Sequence, residues 1–496
     1  MFEAAELGHT IDKKTYDQRA PKIRQALLAA QYEALRQSRF PVIVVIGGVD
    51  GAGKGETVNL LNAWMDPRYV STHAMGLMSE EERERPPYFR DWRALPPKGR
   101  TGIFFGSWHS WPILQRVYRE KTQAEMDQAL ERVVRFERML TDEGALLFKF
   151  WFHLSKEQQE HRLRALEKNK ATRWRVTPAD WKHFGMYDRF RRISEHALMR
   201  TSTGNAPWTV VEGADSRYRN LTVAETLLEG LRARLAGKDA TAKKAAAPLR
   251  KPIDGKTLLR AIAPDAKVDE KRYEKELEAL QGRLNLATRN PRFQKGSVVV
   301  VFEGPDAAGK GGAIRRVTGA LDARTYQVVP IAAPTDEERA QPYLWRFWRH
   351  VPRRGKMAIF DRSWYGRVLV ERVEGLCSEP DWMRAYDEIN EFEGQLTEHR
   401  ITVVKFWLHI DQDEQLARFE RRQKTPFMRH KITEEDWRNR AKWERYEVAA
   451  SDMIDRTGVE SAPWTVVPAN DKRHARLVVL RTLAERIEGS LARRGA

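Results

Sequence analysis

One segment occurs twice, 256 residues apart, and that repetition constrains the fold more than any other feature of the 496-residue chain. Gly48-Val49-Asp50-Gly51-Ala52-Gly53-Lys54-Gly55 follows the apolar run 42–46, and Gly304-Pro305-Asp306-Ala307-Ala308-Gly309-Lys310-Gly311 follows the run 298–302. The same offset relates Trp151 to Trp407 and Trp208 to Trp464, so the register holds through most of each copy. Upstream it slips by one, since Tyr16 matches Tyr273 better. A period this long marks a domain and not a solenoid unit. The chain therefore reads as an N-terminal domain over 1–240, a linker at 241–255 that begins in the small, charged stretch 238–248, and a C-terminal domain over 256–496.

Within the C-terminal copy, apolar runs predict strands at 298–303, 326–331, 356–360, 401–410 and 464–468. Helical patterns fall near 310–321, 380–399, 411–423, 436–456 and 472–490. Alternation of this kind gives an α/β fold, a parallel sheet flanked by helices, and the runs are apolar nearly throughout because helices cover both faces.

Strand, glycine loop and helix in that order make a phosphate cradle. Gly304 and Gly309 let the backbone turn its N–H groups inward, so that Gly304, Ala308, Gly309, Lys310 and Gly311 surround phosphate oxygens while Lys310 and the helix N-terminus supply positive charge. The loop departs from the Walker A pattern at the residue after the lysine. A hydroxyl there normally holds Mg²⁺, but the residue is Gly311, and Asp306 inside the loop is the substitute. A second carboxylate, Asp361, stands at the end of the apolar strand 356–360, where such a fold organises the same metal, and Arg362 and Arg367 follow it. An arginine fork spreads phosphoryl charge by bonding two oxygens at once. Further on, a helix breaks at Pro426 and restarts after a cap at Thr433, with Arg422, Lys424, Arg429 and Lys431 around the break, which reads as a basic lid.

Lys and Arg number 87 against 69 Asp and Glu, a net charge of +18, which calls for a polyanionic partner. Nine basic residues and two acidic ones lie between Arg339 and Arg372, close to the loop and its metal site in sequence, and no nucleic-acid-binding motif is present. The tryptophans Trp92 and Trp348, Trp108 and Trp364, and Trp181 and Trp437 recur in register, which favours core packing over base stacking. No apolar run is long enough to span a bilayer, residues 1–10 do not read as a secretion signal, and the single cysteine, Cys377, suits a reducing cytoplasm.

The loop with Asp306 and Gly311, the strand end Asp361-Arg362-Ser363-Trp364-Tyr365 and the lid Lys431-Ile432-Thr433 together resemble the polyphosphate kinase 2 family, specifically its fused two-domain class. The resemblance covers both halves and implies P-loop domains similar to thymidylate kinase, a Mg²⁺ requirement, and transfer of phosphate from inorganic polyphosphate, bound along basic side chains, to AMP. No role for nucleic acid or membrane is expected from the missing motifs and apolar runs, and a homo-oligomer is expected. The lid departs from the family pattern at Met428 and His430. An ATP-dependent nucleoside monophosphate kinase, or a polyphosphate kinase acting on nucleoside diphosphates, would use similar machinery. A nucleic-acid-binding ATPase is the remote alternative.

The two copies align with each other, and the N-terminal one lacks most of the machinery. Phe105 stands in place of Asp361, Gly106 of Arg362, Trp111 of Arg367, Gln115 of Glu371, Ala165 of Arg421 and Leu166 of Arg422. Asp50 and Lys54 remain as a degenerate site. The C-terminal copy is thus expected to carry catalysis, with Asp306 and Asp361 on the metal, Lys310 on the donor, and Arg362, Arg367, Arg422 and Lys431 on the transferring group or the chain.

Overall fold

A computed structural model describes residues 2–237, 259, 262 and 267–493; the expected linker lies outside the described residues. The chain divides into two compact units, one of Met1–Met78, Arg90–Ala242 and Pro334–Trp345, the other of Ser79–Phe89, Lys243–Ala333 and Arg346–Ala496.

Each unit holds a five-stranded parallel sheet. The first contains β1 (Val42–Gly48), β2 (Val70–Ala74), β3 (Thr101–Phe105), β4 (Leu146–His153) and β5 (Trp208–Glu212) in the order β2-β3-β1-β4-β5. The second contains β6 (Ser297–Glu303), β7 (Tyr326–Pro330), β8 (Met357–Asp361), β9 (Ile401–His409) and β10 (Trp464–Pro468) in the matching order β7-β8-β6-β9-β10. All five strands predicted in the C-terminal copy are present within a residue at each end.

Every residue of β6 is buried, because it is the middle strand and helices cover both faces. Val298, Val300 and Phe302 on one face pack with Leu284, Val317, Leu480 and Leu483 from flanking helices. Each such side chain contributes about 1.5–3 kcal/mol on burial. Chain order reverses between β6 and β8, so the crevice at their carboxyl ends is where an open α/β sheet takes its ligand. Glu303 and Asp361 end these two strands.

The tryptophan pairs Trp92 and Trp348, and Trp108 and Trp364, are core residues, at most 5% exposed. One predicted helix, 436–456, is two: Glu434–Ala441 and Trp443–Thr457. Lys442 leaves helical geometry at φ −106°, ψ 24°, and its ammonium bonds Glu374 at 2.6 Å. The cap expected at Thr433 takes the form of a capping box with Asp436. No described helix is long and apolar enough to cross a membrane.

Candidate active site

β6 runs straight into the loop, and the turn at Gly304 requires glycine: φ is +142°, and a Cβ there would stand 2.4 Å from the Leu408 carbonyl oxygen. Lys310 opens the helix Lys310–Thr318 and folds back, its Nζ donating to the carbonyls of Gly304 at 2.7 Å and Pro305 at 3.2 Å. Burial, and then the nearby Arg362, push the Lys310 pKa down. That ammonium is poised for an anion, which would restore its preference for charge.

The loop is clamped from the helix Gln412–Lys424. Gln415 Nε2 donates to the Asp306 carbonyl at 3.1 Å. Arg418 is buried and donates to Ala307 and Ala308 on the loop, at 2.9 and 3.0 Å, and to Ala469 and Asn470 beyond β10, at 2.6 and 2.9 Å. A guanidinium suits this post because its fork satisfies several carbonyls at once.

Asp306 projects from the loop with both oxygens engaged: Arg362 Nη2 donates at 2.7 Å and Asn439 Nδ2 at 2.8 Å. Arg362 sits just past β8 in the left-handed region, φ +64°, its N–H bonded to the Phe302 carbonyl. Burial opposes its charge, but Asp306 and Glu303 outweigh it and raise the pKa. A cavity of about 100 Å³ opens beside this pair, lined by Glu303, Asp306, Arg362, Asn439, Trp443 and Tyr446 among others.

Beneath the strand end lies a buried polar network. Ser363 Oγ donates to Glu303 at 2.8 Å, and burial raises the Glu303 pKa. Tyr365 and Trp364 donate to Glu393 at 2.6 and 3.0 Å, and Lys405 Nζ bonds Glu393 at 2.7 Å and Tyr365 at 2.9 Å. This satisfied network fixes where Asp361 and Arg362 stand.

The structure thus brings Gly304, Asp306, Ala308, Gly309, Lys310, Gly311, Asp361 and Arg362 together at the crevice. Arg367 lies on the next turn, ion-paired with Glu371 at 2.8 Å, and does not line the cavity. The lid cations stay at the surface. Arg422 donates to the Lys431 carbonyl at 3.2 Å, Arg429 to the Gln423 carbonyl at 3.0 Å, and the Lys424 side chain is 81% exposed. Cys377 is pushed up to about 11 by burial, far from a reactive thiolate.

Among the described residues no group of three or more His, Cys, Asp or Glu is assembled as a metal cage. Asp306 and Asp361 still fit Mg²⁺ by donor chemistry, since that ion takes one or two carboxylates and leaves its other positions to water and phosphate.

Sequence reasoning missed Glu303, Gln415, Arg418 and Asn439. Two had a signal in the copy alignment, where Gly47 replaces Glu303 and His183 replaces Asn439. Arg418 had none. Its counterpart Arg162 turns to Glu56 at 3.1 Å, and Arg219, from a different helix, takes over the clamp by reaching the loop carbonyl of Ala52 at 3.5 Å, the Gly213 carbonyl at 2.9 Å and Glu56 at 2.8 Å. Lys54 keeps the geometry of Lys310, donating to Gly48 and Val49 at 2.6 and 2.9 Å.

The sequence profile described as Polyphosphate kinase 2 (PPK2) matches residues 10–239 and again 267–495. Over 491 residues, and 99% of both chains, the protein is 59% identical to a polyphosphate:AMP phosphotransferase of Pseudomonas aeruginosa. A protein of the same name from Acinetobacter johnsonii is 36% identical, with 93% of this chain and 95% of the relative covered. A crystal structure of a polyphosphate kinase 2 from Pseudomonas aeruginosa PA01 superposes with a TM-score of 0.89 at 57% identity, covering 99% of each chain.

Proposed function

The chain belongs to the polyphosphate kinase 2 family, and we propose that its C-terminal repeat transfers the terminal phosphoryl group of inorganic polyphosphate to AMP, giving ADP. The observation that carries this reading is the crevice between β6 and β8. There an anion-ready lysine, two carboxylates of metal-binding type and an arginine meet at a glycine loop, in a chain that closely matches polyphosphate:AMP phosphotransferases along its whole length.

The acceptor is the α-phosphate of AMP, ionised at neutral pH, so no general base has to activate it and no covalent intermediate is needed. Asp306 and Asp361 would hold Mg²⁺, which when bound neutralises charge shared by donor and acceptor phosphates. Lys310 and the loop N–H groups grip the donor. Arg362, which donates to Asp306 at 2.7 Å, would also bond the transferring group, and Asn439 keeps Asp306 aimed. Arg422, Lys424, Arg429 and Lys431 close over the polyphosphate chain and exclude water. Arg367, paired with Glu371, acts at the entrance to the pocket. The N-terminal repeat lacks both Asp361 and Arg362 counterparts and takes no part in transfer. A cytoplasmic enzyme fits the nucleotide substrate and the single cysteine.

Incubation with Mg²⁺, polyphosphate and each of AMP, ADP, GMP and GDP, followed by chromatography, tests the reading. ADP made from AMP and polyphosphate is the expected product. Phosphorylation of diphosphates alone, or of AMP only when ATP replaces polyphosphate, would overturn it.

A further inference from the structure

The N-terminal repeat has lost its catalytic charges without losing its cavity. The space above its loop is about 300 Å³, against about 100 Å³ at the C-terminal site. Glycine explains part of the gain, since Gly47 and Gly106 stand where Glu303 and Arg362 fill the other copy. Part of the lining has turned apolar, with Phe105 in place of Asp361, Met186 of Lys442 and Phe190 of Tyr446, while Ser110, Gln159 and His183 keep it polar elsewhere.

Three features show what the cavity would accept. At its floor, the loop retains Gly48 and Gly53 in left-handed geometry and Lys54 at the N-terminus of an 11-residue helix, the equipment for a phosphate group. Two lining side chains, each 3% exposed, carry polar atoms with no hydrogen-bond partner: Trp151 Nε1, a donor, and Gln159 Oε1, an acceptor. The counterpart Trp407 Nε1 is unpaired as well, whereas Gln415 Oε1 accepts from Arg440 at 3.3 Å, so Gln159 Oε1 is the acceptor that marks this copy and an occupant with a donor is its complement. Finally, Phe105, Tyr118 and Phe190 make part of the wall aromatic, a surface against which a planar ring can pack. With Phe105 in place of the second carboxylate, nothing here holds a metal between two phosphates.

We propose that this cavity is a metal-independent binding site for a nucleoside monophosphate, its phosphate on the 48–54 loop beside Lys54 and its base against the aromatic wall. Asp50, carrying a hydrogen bond to His183 at 3.1 Å, stays charged although burial opposes it, because Lys54 and His183 outweigh the burial. That carboxylate repels a second phosphate, so one phosphate is preferred over a chain of them. The site is independent of whether the C-terminal repeat transfers phosphate, which the product assay above decides separately.

Equilibrium dialysis of the full chain in EDTA, with labelled AMP, GMP, CMP and UMP, tests the site. At least one nucleotide should show a component of one per chain that Lys54→Ala removes, that Leu114→Trp removes by filling the cavity, and that Lys310→Ala leaves in place. Adenosine and inorganic phosphate should compete at least about tenfold more weakly than the nucleotide, since each lacks half of the ligand. Circular dichroism checks that the three variants fold, and Lys54→Ala, which adds no bulk, decides the matter if Leu114→Trp does not fold. Absence of any component that Lys54→Ala removes, or competition by inorganic phosphate equal to that of the nucleotide, overturns the proposal.

Discussion

Glu303 ends β6 with its carboxyl buried against Ser363, and burial raises its pKa above the usual carboxylate range. A carboxyl with a raised folded pKa stabilises the fold while protonated, fully so below its unfolded pKa, and that contribution is lost as pH rises through the folded value. Glutamine keeps the shape and never ionises. Glu303→Gln should therefore raise the melting temperature relative to the parent more at pH 8 than at pH 5, and equal differences at the two pH values would mean the pKa is not raised. Lys310 and Asp361 make the residue-scale prediction for chemistry. Each lies at the crevice, and Lys310→Ala or Asp361→Asn should lower kcat by about 10²- to 10³-fold, the usual loss for an electrostatic group acting on the transition state. The N-terminal loop is intact in both variants, so activity persisting at a large fraction of the parent's would refute the assignment of catalysis to the second repeat.

At the scale of elements, the helix Gln412–Lys424 does two jobs with its two halves. Its first half holds the loop through Gln415 and Arg418, and its last turn carries Arg421, Arg422 and Lys424 into the lid. Arg418→Ala would strand four buried or half-buried carbonyls on two segments, and at roughly 1–3 kcal/mol for an unsatisfied buried group the expected loss is about 3 kcal/mol or more. Thermal unfolding with a transition unmoved by this change would show that the clamp is dispensable. In the lid, Arg422 stands on a regular helix while Lys431 ends the 3₁₀ turn Pro426–Lys431, so the two should fail differently. Lys431→Ala is expected to raise KM for polyphosphate several-fold with kcat little changed, and Arg422→Ala to lower kcat. The reverse pattern in steady-state kinetics would assign grip to the helix and chemistry to the turn.

For the whole molecule, a net charge of +18 and a basic surface around the lid imply a substrate bound by many weak contacts. Polyphosphate affinity should fall steeply with salt while ATP affinity falls little, since neutralising many phosphates releases many counterions. KM values for long-chain polyphosphate that stay flat between low and high salt would contradict this. Much of the protein was written in short stretches of sequence: the two copies at offset 256, five strands per sheet, the glycine loop with Lys310, and the carboxylate ending β8. These are legible because glycine torsions, apolar runs and caps act within a few residues. Tertiary structure alone decided that Asn439 and Arg362 share Asp306, that Ser363 covers Glu303, that Arg418 clamps one loop where Arg219 clamps the other, and that Arg367 turns to Glu371. Asn439 and Asp306 lie 133 residues apart and Arg219 and Glu56 163, and which partners meet is set only when sheet order and helix packing bring their strand ends and helix turns to one crevice.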